Sequence, residues 1–175
     1  MAEQKVRWEI REAVDEEAGA IADLWTEAYV THGVGGRVEP YAPADFLESA
    51  SCGEVFVATR EGEIIGAVAL AAPGAPGRVV AETQEAELSR LAVAFAARRA
   101  GAGRALAVFC EQRARAAGWS AIALWSRPAQ VEAHRLYESR GYRRLPERDS
   151  VDQGGQAPRR LPPRSLSTRS GSHRS

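Results

Sequence analysis

The chain has 175 residues, 45% of them hydrophobic, and a formal net charge of zero. That length suits one domain with a sizeable core. Residues 1–150 hold 18 basic against 22 acidic side chains and residues 151–175 five arginines against one acid, so the globular part lacks the basic footprint of a nucleic-acid binder. Two cysteines, Cys52 and Cys110, argue against a disulfide framework, and neither a signal peptide nor a bilayer-length apolar run is found, which predicts a cytoplasmic protein with no membrane partner. His32, His134 and His173 lie far apart and show no metal spacing.

In chain order, Val6 to Ala13 mixes apolar and charged residues in near alternation and predicts a half-exposed strand. A helix capped by Asp15 follows to about Tyr29, with Ala18, Ile21, Ala22, Trp25, Ala28 and Tyr29 at helical spacing and facing a core. Glycines and prolines between His32 and Pro43 break regular structure ahead of a short helix over Ala44 to Ala50. Glu54 to Arg60 and Glu63 to Ala71 are strands of a hairpin turning at Glu61-Gly62. After a loop at Pro73 to Gly77, Thr83 to Val93 is a further strand.

Arg98 to Gly103 reads R-R-A-G-A-G, between that strand and a helix over Ala102 to Ala117. Gly101 and Gly103 let the backbone approach a ligand, and the first free N–H groups of the helix favour an anion. Arg98, Arg99 and Arg104 add positive charge, so the segment is a phosphate cradle. No Lys-Ser or Lys-Thr follows Gly103, and the third glycine of a dinucleotide fingerprint is missing. The helix buries Leu106, Phe109, Cys110 and Ala117, turns Glu111, Gln112 and Arg115 outward, and ends at Gly118.

Ala121 to Trp125 is a short apolar strand, followed by a helix from Gln130 that runs through Ala133 and Tyr137 to Gly141-Tyr142. Beyond Asp149, glycine, proline, serine and arginine dominate, so residues 150–175 are expected to be a disordered basic tail after a domain at 1–149.

The R-R-A-G-A-G run resembles the acyl-CoA-binding motif of the GNAT N-acetyltransferases. The stretch with Ala133, Tyr137, Gly141 and Tyr142 is similar to that family's second signature, with Gln130 where Asn is usual. The resemblance covers about residues 54–149. It implies an α/β fold with a mixed central sheet, splayed at the acyl-CoA site and flanked by helices. The family's terminal apolar strand finds no counterpart in residues 150–175.

The resemblance further implies acetyl-CoA as cosubstrate. Its pantetheine would pair with backbone groups of Leu91 and Val93 beside a bulge near Ala92, and its pyrophosphate would rest on Arg98, Arg99, Ala100, Gly101, Ala102, Gly103 and Arg104, with Gln130 and Tyr137 also at the cofactor. The acceptor would be a primary amine of a small molecule or protein, attacking the thioester directly, and the enzyme a monomer or homodimer. Tyr137 is the candidate acid for the departing thiolate, its phenol lying somewhat above a thiol in pKa. Glu87 stands where some histone-acetylating members carry a base, and a carboxylate on a strand by an apolar cleft suits that role. The competing function is a non-catalytic acyl-CoA-binding or regulatory module.

Overall fold

The computed structural model describes residues 8–31, 37, 39–79 and 81–148, together with the backbone of 159–161. Its five main strands are β1 (Glu9–Glu12), β2 (Gly53–Arg60), β3 (Glu63–Ala71), β4 (Glu85–Val93) and β5 (Ala121–Ser126), joined edge to edge in sequence order. The pairs β1–β2, β2–β3 and β3–β4 are antiparallel, and β4–β5 is parallel. Four helices flank the sheet: α1 (Ala18–Thr26), α2 (Pro43–Cys52), α3 (Ala102–Ala116) and α4 (Val131–Ser139).

Both faces of the sheet are covered, which is why β2 and β3 read as nearly unbroken apolar runs. Successive strand residues alternate sides. Val55 and Val57 face a core made with Ile21, Trp25 and Phe46 of α1 and α2. Phe56 and Ala58, between them, face Leu106, Cys110 and Ala114 of α3. Arg60 pairs with Glu63 across the hairpin, and Glu61 (φ 53°) and Gly62 (φ 84°) supply the left-handed pair that a two-residue turn demands.

Several local expectations are corrected. Asp15 does not cap the first helix, because it already lies within a 3₁₀ turn, Asp15–Glu17, leading into α1. Glu17 does the work instead: its carboxylate accepts the Val14 N–H at 3.0 Å and is gripped by Arg11 at 2.6 and 2.9 Å, which holds it below the usual carboxylate range. Glu111 points inward, fully buried, because Arg140 at the end of α4 meets it at 2.6 Å and supplies the charge partner that burial requires. Phe109 is half-buried against Phe56, and Ala117 is exposed beyond the helix end.

From Tyr142 to Arg148 the chain forms no strand but ends in a 3₁₀ turn, Pro146–Arg148, tied down by Arg148 on Glu85 at 2.6 Å. Residues 150–175 nonetheless add some ladder. The backbone of β6 (Arg159–Leu161) pairs antiparallel with Leu124 to Ser126. Three residues suffice for that, since ladder bonds need only N–H and C=O groups and no apolar pattern. No strand of apolar residues follows Gly141 among the described residues. The rest of the tail lies outside them.

Candidate functional site

The site begins where two strands part. β4 and β5 pair from Glu85 with Ala121 to Glu87 with Ala123, and no further. Just beyond, β4 carries two residues, Arg90 and Leu91, against one on β3. This bulge, with Arg90 at φ 53°, lies a step before the Ala92 expected. It turns the rest of β4 away from β5, and a cleft of about 610 Å³ opens between that segment and α4.

One end of this cleft is the phosphate cradle. Gly101 takes a left-handed backbone (φ 92°) and α3 starts at the next residue. The first bond of that helix runs from the Ala105 N–H to the Gly101 carbonyl, so the N–H groups of Ala102, Gly103 and Arg104 have no acceptor among the described residues. They face the cleft at the positive end of a 15-residue helix. A Cβ on Gly103 would come 3.3 Å from Val93 Cγ2, so any side chain there would narrow the cleft. Arg98, Arg99 and Arg104 line the same space, Arg99 with its side chain 88% exposed and 3.7 Å from Glu132. Ala100, expected here too, is exposed but not part of the lining.

Leu91, Ala92 and Val93 form the cleft wall, as expected. The carbonyls of Leu91 and Val93, which β5 no longer reaches, are held by side chains. The Tyr29 hydroxyl donates to Leu91 O, and Arg98 Nε donates to Val93 O at 3.4 Å. Tyr29 reaches this position because α1 widens into a π-turn over Glu27–Thr31.

A second cavity, of about 230 Å³, adjoins the first, and Tyr29 and Gln130 line both. Its walls hold Tyr41, Trp125, Ser49, two acids, Glu48 and Glu87, and two cations, Arg90 and Arg127. Burial pushes the phenols of Tyr29 and Tyr41 up from their ordinary range, so both remain protonated at neutral pH.

The predicted site residues separate here. Gln130 accepts the Ser126 hydroxyl at 2.9 Å and the Arg127 N–H at 2.7 Å, so its side chain fastens the β5–α4 connection at the mouth of both cavities. Glu87 faces the second cavity, yet its carboxylate accepts the Val79 N–H at 2.9 and 3.1 Å and the Ala81 N–H at 2.9 Å. It organises the β3–β4 loop instead of presenting a bare oxygen pair. Tyr137 lies in the core, 5% exposed and edge-on to Tyr142, behind Ala133 and Leu136 of the cleft wall. Burial raises its phenol pKa strongly, and a charge on it would raise that of Tyr29 in turn.

Sequence reasoning missed Tyr29 as a site residue, along with Tyr41, Arg90 and Arg127. Arg90 left a signal: it is the one charge in the run L-S-R-L-A-V-A-F-A-A, and a lone charge inside a strand needs a reason. Among the described residues no group of three metal-ligating side chains gathers and no helix is long and apolar enough to cross a membrane.

Comparison with known proteins bears on this geometry. A model of the acetyltransferase (GNAT) family matches residues 18–142. No curated protein matches the sequence significantly. Among solved structures, an N-acetyltransferase from Staphylococcus aureus Mu50 superposes with a TM-score of 0.73 at 16% identity, over 92% of this chain and 99% of its own. A Salmonella typhimurium protein described as an acetyltransferase and solved with acetyl-CoA gives 0.73 at 17%, over 93% and 95%. A ribosomal-protein-alanine N-acetyltransferase from Brucella melitensis gives 0.71 at 22%, over 88% and 98%.

Proposed function

The chain belongs to the GNAT acetyltransferase family, and from that premise we propose that it moves an acetyl group from acetyl-CoA to a primary amine by direct attack in a ternary complex. Two cavities meeting at a splayed strand pair, one ending in an anion cradle, carry this reading. A long anionic cosubstrate suits the first, and an amine suits the second.

Acetyl-CoA, when bound, supplies an acetyl group activated as a thioester. The chain's own part is to orient, desolvate and handle protons. Unbonded N–H groups of Ala102, Gly103 and Arg104, with Arg98, Arg99 and Arg104, fit the pyrophosphate. Backbone groups of Leu91 and Val93 fit the pantetheine, which then takes the place that Tyr29 and Arg98 hold on their carbonyls. Gln130 shapes the mouth between donor and acceptor.

Tyr137 is the group assigned to the departing thiolate. Burial keeps its phenol protonated, the form that donates a hydrogen bond to developing negative charge, and its helix neighbours Ala133 and Leu136 already wall the cleft. Glu87 is assigned the amine side. The sequence expectation made it the base; with its oxygens holding the β3–β4 loop, its contribution here is negative charge that draws an ammonium into the cavity.

Acetyl-CoA mixed with panels of small amines and of peptide amines tests the reading. Free thiol released in step with acetylated amine is expected. Acetyl-CoA binding heat with no thiol release from any amine would overturn it in favour of a non-catalytic acyl-CoA-binding module.

A further inference from the structure

Arg90 occupies an unusual position for an arginine. It sits on the β4 bulge at φ 53°, a conformation that glycine and asparagine adopt more cheaply than a long side chain does. Its side chain runs to the wall of the second cavity and is fixed there from two directions. Nη1 donates to the Asp45 carbonyl at 2.9 Å and to Ser49 Oγ, both on α2. The guanidinium carbon stands 5.2 Å from the Trp25 ring centre and 5.6 Å from that of Tyr41.

These contacts use only part of the guanidinium. Nε and Nη2 have no hydrogen-bond acceptor among the described residues. The one acid paired with it, Glu48, lies 3.9 Å from Nη2 with its side chain 68% exposed, a weak and screened partner. Three N–H donors of a permanently charged, planar fork are therefore unspent at the edge of a substrate cavity. Arg127 lines the same cavity with its guanidinium carbon 5.6 Å from the Trp125 ring centre, and Glu87 adds a carboxylate. A volume of about 230 Å³ thus offers charge of both signs.

We propose that the acceptor is a small zwitterion, a free α-amino acid, whose carboxylate is held by Arg90 while its amine is the group acetylated. A planar guanidinium with adjacent unspent donors matches a carboxylate in geometry as well as charge. An amine at a protein's amino terminus carries an amide at that position and leaves the fork unsatisfied. The inference rests on the transferase reading, since it takes this cavity as the place where the amine waits.

Binding can be measured apart from turnover. Protein saturated with CoA, which has no acetyl group to transfer, is titrated calorimetrically with the twenty free L-amino acids, and each binder is compared with its α-carboxamide. The free acid is expected to bind at least tenfold more tightly, about what one charge-assisted pair contributes. In Arg90→Gln the preference should shrink to within about threefold, while Arg90→Lys retains charge without the fork and keeps only part of it. Melting temperature and acetyl-CoA affinity of both variants show whether the fold survives. Equal affinity of acid and amide in the wild-type protein, or saturable binding by none of the amino acids, overturns the inference whatever the variants do. Arg90-dependent binding of amino acids without thiol release from acetyl-CoA upholds Arg90 as the carboxylate site but overturns the transferase reading and, with it, the acceptor role that rests on it.

Discussion

Apart from Ala28 and Tyr29, the cleft proposed for the cofactor takes its lining from two stretches of chain, residues 91–104 and 129–136. The second cavity gathers one to three residues each from the π-turn after α1, the loop before α2, α2, β3, the β3–β4 loop, β4, β5 and the turn after it. The first is made largely of backbone: a bulge, two carbonyls, three N–H groups with no acceptor among the described residues, and glycines that keep the approach open. The second is made largely of side chains, fixed by other side chains and by backbone groups, such as Arg90 on Ser49 and the Asp45 carbonyl. A pyrophosphate, the same in every acyl-CoA, can be recognised by main-chain donors, whereas an acceptor must be told from its rivals by chemical groups.

The two constructions should respond differently to substitution. The largest effect is expected at the junction between cleft and core. Tyr137→Phe keeps the ring and its packing on Tyr142, so acetyl-CoA affinity should hold while turnover falls by about ten- to a thousandfold. Wild-type turnover in this variant, measured with an active acceptor, would leave Tyr137 a core residue. Next comes Gly103→Val, whose side chain enters the cleft where even a Cβ would stand 3.3 Å from Val93. Acetyl-CoA binding should weaken by about 1 to 2 kcal/mol, roughly five- to thirtyfold, in a protein that still folds. Unchanged calorimetric affinity would mean that the backbone is not the reader.

Glu87→Gln should act more gently and on the acceptor side alone. Loss of charge and looser bonds to Val79 and Ala81 should raise the amine KM about three- to tenfold, with kcat and its pH profile preserved. If kcat falls and its ascending pH limb vanishes, Glu87 is the base after all. The smallest effect lies outside both cavities. Burial pushes the Glu85 carboxyl upward, but the Arg148 guanidinium and the Glu82 N–H outweigh it and hold the group below its ordinary range. With the folded pKa depressed, the stabilisation is complete above the unfolded value and is lost as pH falls through the folded one. Glu85→Gln should cost about 1 to 2 kcal/mol at neutral pH and little under acid conditions, read by denaturant titration at both. Equal cost at both pH values would show that the ion pair contributes nothing.

The same contrast explains what could be read in advance. The hairpin, the strand-to-helix junction at Gly101 and the extent of α3 rest on neighbours in sequence, and each emerged with bounds correct to a residue or two. Leu91, Val93 and Gly103 reached the cleft for the same reason: their role depends on local backbone geometry. Glu111 was misread because its partner, Arg140, lies on another helix, and an acid on an amphipathic pattern looks solvated until that partner is known. Arg90 and Tyr29 were missed because their meaning depends on α2 and on the splay, contacts that no local period encodes. Asp15 lost its capping role to Glu17 through competition among three consecutive acids, decided by Arg11 on the strand before.

Tyr29 carries a consequence beyond its place in the wall. Tyr29, its hydroxyl bonded to Leu91 O, belongs at once to the cavity proposed for the cofactor and the cavity proposed for the acceptor. Occupancy of one cavity that shifts this ring reshapes the other, so the two affinities are linked. By thermodynamic reciprocity the factor by which acetyl-CoA changes the affinity for an amine equals the factor by which that amine changes the affinity for acetyl-CoA. Removing the hydroxyl cuts the bond through which that linkage passes, so in Tyr29→Phe each ligand should bind with more nearly the same affinity whether or not the other is present.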